Sequence, residues 1–167
     1  MVSCSLFKGY GTINMRAVDE TLLRVFASVP LFAGIERVHL VWLVAAVERV
    51  DVIAESLFFD EGDPGDRFFV FIKGKAVVEK RTEAGGWQSV AELSPGETFG
   101  EMAIVDNQPR SARVRAATDA VALALTQKAL DGYPELAAGL YRNIARIQSQ
   151  RIRRFNEKLL VDSGSES

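Results

Sequence analysis

The chain of 167 residues carries 20 Lys and Arg against 22 Asp and Glu, a formal net charge of −2, with 48% hydrophobic and 25% charged residues. These proportions speak against a disordered or membrane-embedded class and fit one domain of ordinary size, with a few helices packed outside its core. The charge balance gives no bulk attraction to nucleic acid, and the single cysteine, Cys4, cannot close an internal disulfide, which suits a reducing, cytoplasmic setting.

Residues Met1 to Asn14 mix Ser, Gly, Lys and isolated hydrophobics without periodicity, so 1–14 reads as a flexible tail, native or left over from expression. It lacks the apolar block of a signal peptide, and the longest apolar stretch, Val38 to Val47, is broken by His39 and too short to span a bilayer. Residues 15–49 form helices. Asp19 is a plausible N-cap for a first helix whose apolar stripe, Leu22, Leu23 and Phe26, stops before Pro30. A second helix is expected from Ile35, with Leu40, Leu43, Val44 and Val47 on one face.

Over 50–126 the pattern changes to short runs of Val, Phe and Ile parted by turn residues, among them Glu61 to Asp66, Lys73-Gly74-Lys75, Ala84-Gly85-Gly86 and Ser94-Pro95-Gly96. Arg67 to Ile72 and Val121 to Leu125 are apolar on both faces, as strands are when an interior covers one side and helices the other. Short strands at this spacing predict a mainly β fold with flanking helices, a jelly-roll-like antiparallel barrel. Helices return over 127–160. After Pro134 one long face runs through Leu136, Leu140, Ile144, Ile147, Phe155 and Leu159, and Arg151 stands in that stripe where an apolar residue is expected. The end, 161–167, is polar and reads as disordered.

The chemistry is concentrated between Phe99 and Val114. Gly100 lets backbone approach a ligand closely, and Glu101-Met102-Ala103-Ile104 can start a short helix whose free N–H groups suit a phosphate. Arg110 adds a fork of donors with a permanent charge, and Ser111 a hydroxyl beside it. Glu101 discriminates between ligands, because a carboxylate repels an anion unless the same molecule brings a hydroxyl donor. A compact ligand with one phosphate and one neighbouring sugar hydroxyl satisfies both residues. A structural ion pair between Glu101 and Arg110 is the competing reading.

Phe99-Gly-Glu-Met-Ala followed by Pro109-Arg-Ser-Ala and Val114 resembles the phosphate-binding cassette of the cyclic-nucleotide-binding domain family, and the likeness runs from about Val29 to Leu160. The resemblance implies an eight-stranded antiparallel β-barrel of the jelly-roll, double-stranded β-helix kind, with N-terminal helices and a long C-terminal helix. It implies cAMP or cGMP as ligand rather than a tightly held cofactor. Glu101 would take the ribose 2′-hydroxyl and Arg110 the exocyclic phosphate oxygens. Phe99, Gly100, Met102, Ala103 and Ala112 would lie around them, and Ser111 would touch phosphate or base. Ser111 fits either nucleotide, and the bacterial look of the chain favours cAMP. The helix after Pro134 would act as a lid, with Gln148, Ser149, Arg151 and Ile152 as its contacts.

Other chemistries fail on the residues present. One histidine leaves no metal cluster of the cupin kind, no Ser or Cys nucleophile has a credible base, and no Gly-Lys-Ser/Thr follows Gly96 or Gly100, so neither a metal site nor an enzyme is expected. Arg113 and Arg115 alternate with Ala112, Val114 and Ala116 and read as the solvated side of a strand. Arg142, Arg146, Arg151, Arg153, Arg154 and Lys158 make the last helix basic. That helix is open to three readings: a solvated face, a surface for an effector protein or a second copy, or a contact with nucleic acid or membrane. Direct DNA regulation is not expected, since no helix-turn-helix pattern follows the helix.

Overall fold

The protein is described here as a computed structural model, which covers residues 20–163. Helix α1 (Glu20–Ser28) buries Leu23 and Phe26, three apart and therefore on one face. The expected cap Asp19 and the tail 1–14 lie outside the described residues, as does 164–167. Pro30 then opens a short 3-10 turn (Pro30–Phe32), a place where a missing N–H costs nothing. Helix α2 (Arg37–Ala46) begins two residues later than expected. Ile35 stays in the connection, its N–H bonded to the Phe32 carbonyl at 3.1 Å.

Eight strands follow: β1 (Glu48–Val52), β2 (Leu57–Phe59), β3 (Arg67–Lys73), β4 (Ala76–Arg81), β5 (Trp87–Leu93), β6 (Thr98–Phe99), β7 (Arg113–Ala116) and β8 (Ala120–Thr126). All pairings are antiparallel, in two four-stranded sheets ordered β1-β8-β3-β6 and β2-β7-β4-β5. The jelly-roll architecture is as expected, but the barrel is not closed. Strand β6 is only two residues long and gives way to Gly100, whose φ of +78° ends the ladder, so the seam beside it stays open. The segment between β6 and β7 lies at that seam.

Strand β3 explains its own two-sided hydrophobicity. Phe68 and Val70 join Phe26, Leu43, Leu140 and Ile144 under the helices, while Phe69 and Phe71 face Phe99, Val114 and Ala122 between the sheets. Thr126 caps helix α4 (Gln127–Asp131) by accepting the Ala129 N–H at 3.2 Å. Helix α5 (Pro134–Ser163) packs on the core through Leu136, Leu140 and Ile144, and extends three residues into the stretch expected to be disordered, 161–167. Asn143, buried in its middle, donates both Nδ2 hydrogens, at 2.8 Å each, to the Leu31 and Ala33 carbonyls. This fastens α5 to the 3-10 turn.

Candidate functional site

Beyond β6, the positive φ of Gly100 turns the chain directly into helix α3 (Glu101–Asp106), and Asn107, also left-handed at φ +54°, ends that helix. The return loop is held by backbone. The Arg110 N–H donates to the Asp63 carbonyl and the Gly62 N–H to the Arg110 carbonyl, both at 2.9 Å, so the turn at 61–66 fixes where Arg110 begins.

The Arg110 side chain is 5% exposed. Its Nη1 and Nη2 each donate at 2.7 Å, to the carbonyls of Gly100 and Arg67, and its Cζ lies 4.2 Å from the Phe59 ring centre. Its Nε is buried with no partner, and no carboxylate comes within ion-pair distance among the described residues. Burial pulls the guanidinium below its ordinary pKa, an effect opposed at longer range by Asp66, Asp63 and Glu101.

Glu101 is 2% exposed and faces α5. Its Oε1 accepts from Gln148 Nε2 at 2.7 Å and Arg151 Nη1 at 2.8 Å, while Arg151 Nη2 donates to the Thr98 carbonyl at 3.1 Å. Burial pushes this carboxyl above the ordinary carboxylate range, against the pull of Arg151, its own amide and Gln148. Glu101 and Arg110 therefore do not form the simple ion pair that competed with the ligand reading. Each has its own partners.

These residues border a cavity of about 220 Å³. All eight cassette residues expected to meet a ligand line it: Phe99, Gly100, Glu101, Met102, Ala103, Arg110, Ser111 and Ala112. Phe59, Val78, Leu93 and Val114 supply an apolar wall, and Arg151 reaches in from α5. Of the four expected lid residues, Arg151 and Gln148 face the site. Ser149 and Ile152 do not line it, and Ile152 is 60% exposed. Helix geometry accounts for the split, because positions three apart share a face while their immediate neighbours are rotated about 100° away.

Arg113 and Arg115 correct the sequence reading. Glu79, itself 7% exposed, accepts Arg113 Nε at 2.7 Å and Arg115 Nη2 at 3.0 Å, and Arg113 lies 3.7 Å from the Trp87 ring centre. Strand β7 runs between β2 and β4, so its outward side chains meet neighbours where an edge strand would meet water. Alternation alone identified the face but not what covers it. Phe59 and the backbone carbonyl of Arg67 were also missed. A carbonyl leaves no residue-type signal, but Phe59, next to the turn that holds Arg110, could have been suspected.

A two-sheet β domain whose open seam holds a buried arginine and a buried carboxylate, overlaid by a long helix, is a small-molecule-binding module of the regulatory kind. The family model described as the cyclic nucleotide-binding domain matches residues 49–133, and the chain belongs to that family. It is 31% identical over 146 residues to the CRP-like cAMP-activated global transcriptional regulator of Mycobacterium tuberculosis, covering 85% of this chain and 62% of that protein. It is 35% identical over 106 residues to the cAMP-dependent protein kinase regulatory subunit of Dictyostelium discoideum, covering 62% of this chain and 32% of that one. Among solved structures, the N-terminal domain of a transcriptional regulator from Streptomyces coelicolor A3(2) superposes with a TM-score of 0.64 at 34% identity, over 83% of this chain and 96% of that chain. The chain thus spans under two thirds of these curated relatives, whose names are those of a transcriptional regulator and a kinase regulatory subunit. No helix among the described residues is long and apolar enough to cross a membrane.

Proposed function

We propose that the cavity binds a cyclic nucleotide, cAMP in preference to cGMP, and that the protein is a cytoplasmic sensor reporting occupancy through α5 to an effector protein or a second copy. The observation that carries this reading is Arg110: a charged side chain 5% exposed, with a buried Nε–H unmatched and no carboxylate partner among the described residues. An isolated buried charge and an unmade hydrogen bond are both costly, and the phosphate of a ligand relieves both at once. Glu101, beside the same cavity, is an acceptor suited to a ribose hydroxyl. The apolar wall of Val78, Leu93 and Val114 suits a nucleobase. Gly100, Met102, Ala103, Ser111 and Ala112 line the same cavity, which supports the reading that their backbone and the Ser111 hydroxyl meet the phosphate. The names of two relatives, one cAMP-activated and one cAMP-dependent, support the choice of cAMP.

On this reading α5 contributes Arg151 and Gln148 as lid contacts. Its movement is driven only by the difference in nucleotide affinity between its positions. The role is binding and relay, with no catalytic step, no bound cofactor and no direct DNA contact. A second reading has support in the exposed arginines Arg142, Arg146 and Arg153 of α5, which suit a scaffold working through that helix on a protein, membrane or nucleic acid.

Calorimetry separates the two. Wild-type protein should release or absorb heat on titration with cAMP, more weakly with cGMP. Arg110→Ala should bind cAMP roughly tenfold to a hundredfold less tightly, the worth of about 1.5–3 kcal/mol for a charge-assisted contact. Absence of binding with either nucleotide overturns the sensor reading in favour of the scaffold.

A further inference from the structure

We propose that Phe59 is the positioning residue of the phosphate site, holding the Arg110 guanidinium on its ring face so that the charge is supported without being neutralised. The inference rests on the reading of the cavity as a phosphate site and adds to it a residue outside the cassette.

The local backbone explains how Phe59 comes to be there. In a regular strand Phe58 and Phe59 would point to opposite faces. Here β2 carries a register shift between Leu57 and Phe59, where its pairing moves from Arg115 to Val114. As a result both rings reach the interior. Phe58 packs edge-on against Phe69 at 5.9 Å and Phe99 at 5.1 Å, while Phe59 lies nearly parallel to Phe69, with centres 5.9 Å apart and planes 29° apart. A bulge that re-aims a side chain in this way is a common device beside binding sites.

Phe59 then completes a cradle of neutral partners around Arg110. Two carbonyls hold Nη1 and Nη2, and the ring face lies 4.2 Å from Cζ. Gly100 closes it from the other side: a Cβ there would lie 2.7 Å from Arg110 Nη1 and 3.3 Å from Phe59 Cε1. Each contact favours the cation through a dipole or a quadrupole, and none supplies an opposite formal charge. A carboxylate in the ring's place would hold the arginine as firmly but would compete with the incoming phosphate. A leucine would fill the volume with no electrostatic support. An aromatic ring both orients the guanidinium and leaves its charge available.

The test varies ring electrostatics at nearly constant shape. Phe59 is replaced in the full chain by mono-, di- and trifluorinated phenylalanine, which progressively deplete the negative potential of the ring face. Phe59→Leu serves as the end point. Thermal melting without nucleotide checks that each variant folds and that contacts with Phe69 and Phe99 persist. Calorimetric titration with cAMP should show affinity falling stepwise along the series, reaching a loss of about twofold to thirtyfold for the trifluorinated ring and Phe59→Leu. Affinity that stays flat across folded fluorinated variants overturns the proposal, because packing alone would then explain any loss in Phe59→Leu. If the unsubstituted chain takes up no cAMP, the phosphate reading fails and this inference with it. The two failures are told apart by whether the wild-type titration shows binding.

Discussion

Arg151 and Glu101 meet at 2.8 Å across 50 residues of sequence, and their side chains differ sharply in exposure, 43% for the arginine against 3% for the glutamate. The difference makes the contact one-sided. Water can replace Glu101 around the guanidinium, but little can replace Arg151 and Gln148 around a carboxylate so enclosed. Glu101 is therefore the joint between α5 and the cassette. A ribose hydroxyl bound there would address the same carboxylate that holds the helix.

Arg151→Ala should loosen only the distal part of α5. Amide hydrogen exchange should accelerate beyond Ile147, while 134–144 stays protected by buried Leu136, Leu140 and Ile144 and by the Asn143 bonds to the 3-10 turn. The stability cost should be about 1–3 kcal/mol, since the exposed arginine itself loses little but the enclosed Glu101 carboxylate is left with Gln148 as its side-chain partner. Acceleration along the whole helix would mean that Arg151, and not the core, anchors α5.

Gly100 and Gly85 allow steric and conformational effects to be separated. Both have positive φ, +78° and +83°, so alanine costs about 1–2 kcal/mol of backbone strain at either position. A Cβ at Gly85 meets nothing within 4 Å, whereas at Gly100 it presses on Arg110 and Phe59. Both variants should lose this strain energy in urea denaturation, and Gly100→Ala more than Gly85→Ala by the cost of shifting Arg110 and Phe59. Only Gly100→Ala should lose cAMP affinity, by about tenfold or more, the worth of one displaced charge-assisted contact. Equal affinities would remove Gly100 from the site.

Much of the site was legible because it is contiguous. A glycine, a short helix and an arginine within a dozen residues form a local pattern whose chemistry can be read from residue types. Arg151 was legible for a different reason, as a charge interrupting an apolar stripe that periodicity otherwise predicts. The pairing of Arg113 and Arg115 with Glu79 was not, because it depends on which strands flank β7, and alternation reveals a face but not its neighbours. Phe59 was hidden by a bulge, since one irregular residue reverses the inward and outward assignment that a strand pattern gives. Open versus closed sheets turned on the length of β6, and element boundaries are where local patterns carry least information.

Glu79 should make the protein acid-sensitive. Hydrogen bonds from Arg115 and then Arg113 outweigh burial and hold its carboxyl below the ordinary range. Between its native and unfolded pKa values the unfolded state binds the additional proton, so stability rises with pH there. The stabilisation is present above the unfolded value, near about 4.3 for a free glutamate, and is lost as pH falls through the lower native value. Glu79→Gln should cost about 1–3 kcal/mol at neutral pH and flatten the acid limb of a stability profile measured in urea. An unchanged acid limb would assign the sensitivity to other carboxylates.

Glu101 should act with the opposite sign. Its carboxyl is raised above the ordinary range, chiefly by burial, so between the unfolded and native pKa values the native state holds the additional proton and stability falls as pH rises. The stabilisation is complete below the unfolded value and lost once pH passes through the raised native one. Glu101→Gln abolishes this decline. It also removes a buried charge at the cost of the charged bond to Arg151, two terms that roughly cancel, so stability at neutral pH should stay within about 1 kcal/mol of wild type. Binding should respond differently. A neutral amide oxygen accepts a ribose hydroxyl more weakly than a carboxylate does, and cAMP affinity should fall about tenfold. Stability and affinity measured on this one variant would then separate. Parallel losses in both would identify Glu101 as a structural tie for α5 and leave the sugar hydroxyl to another acceptor.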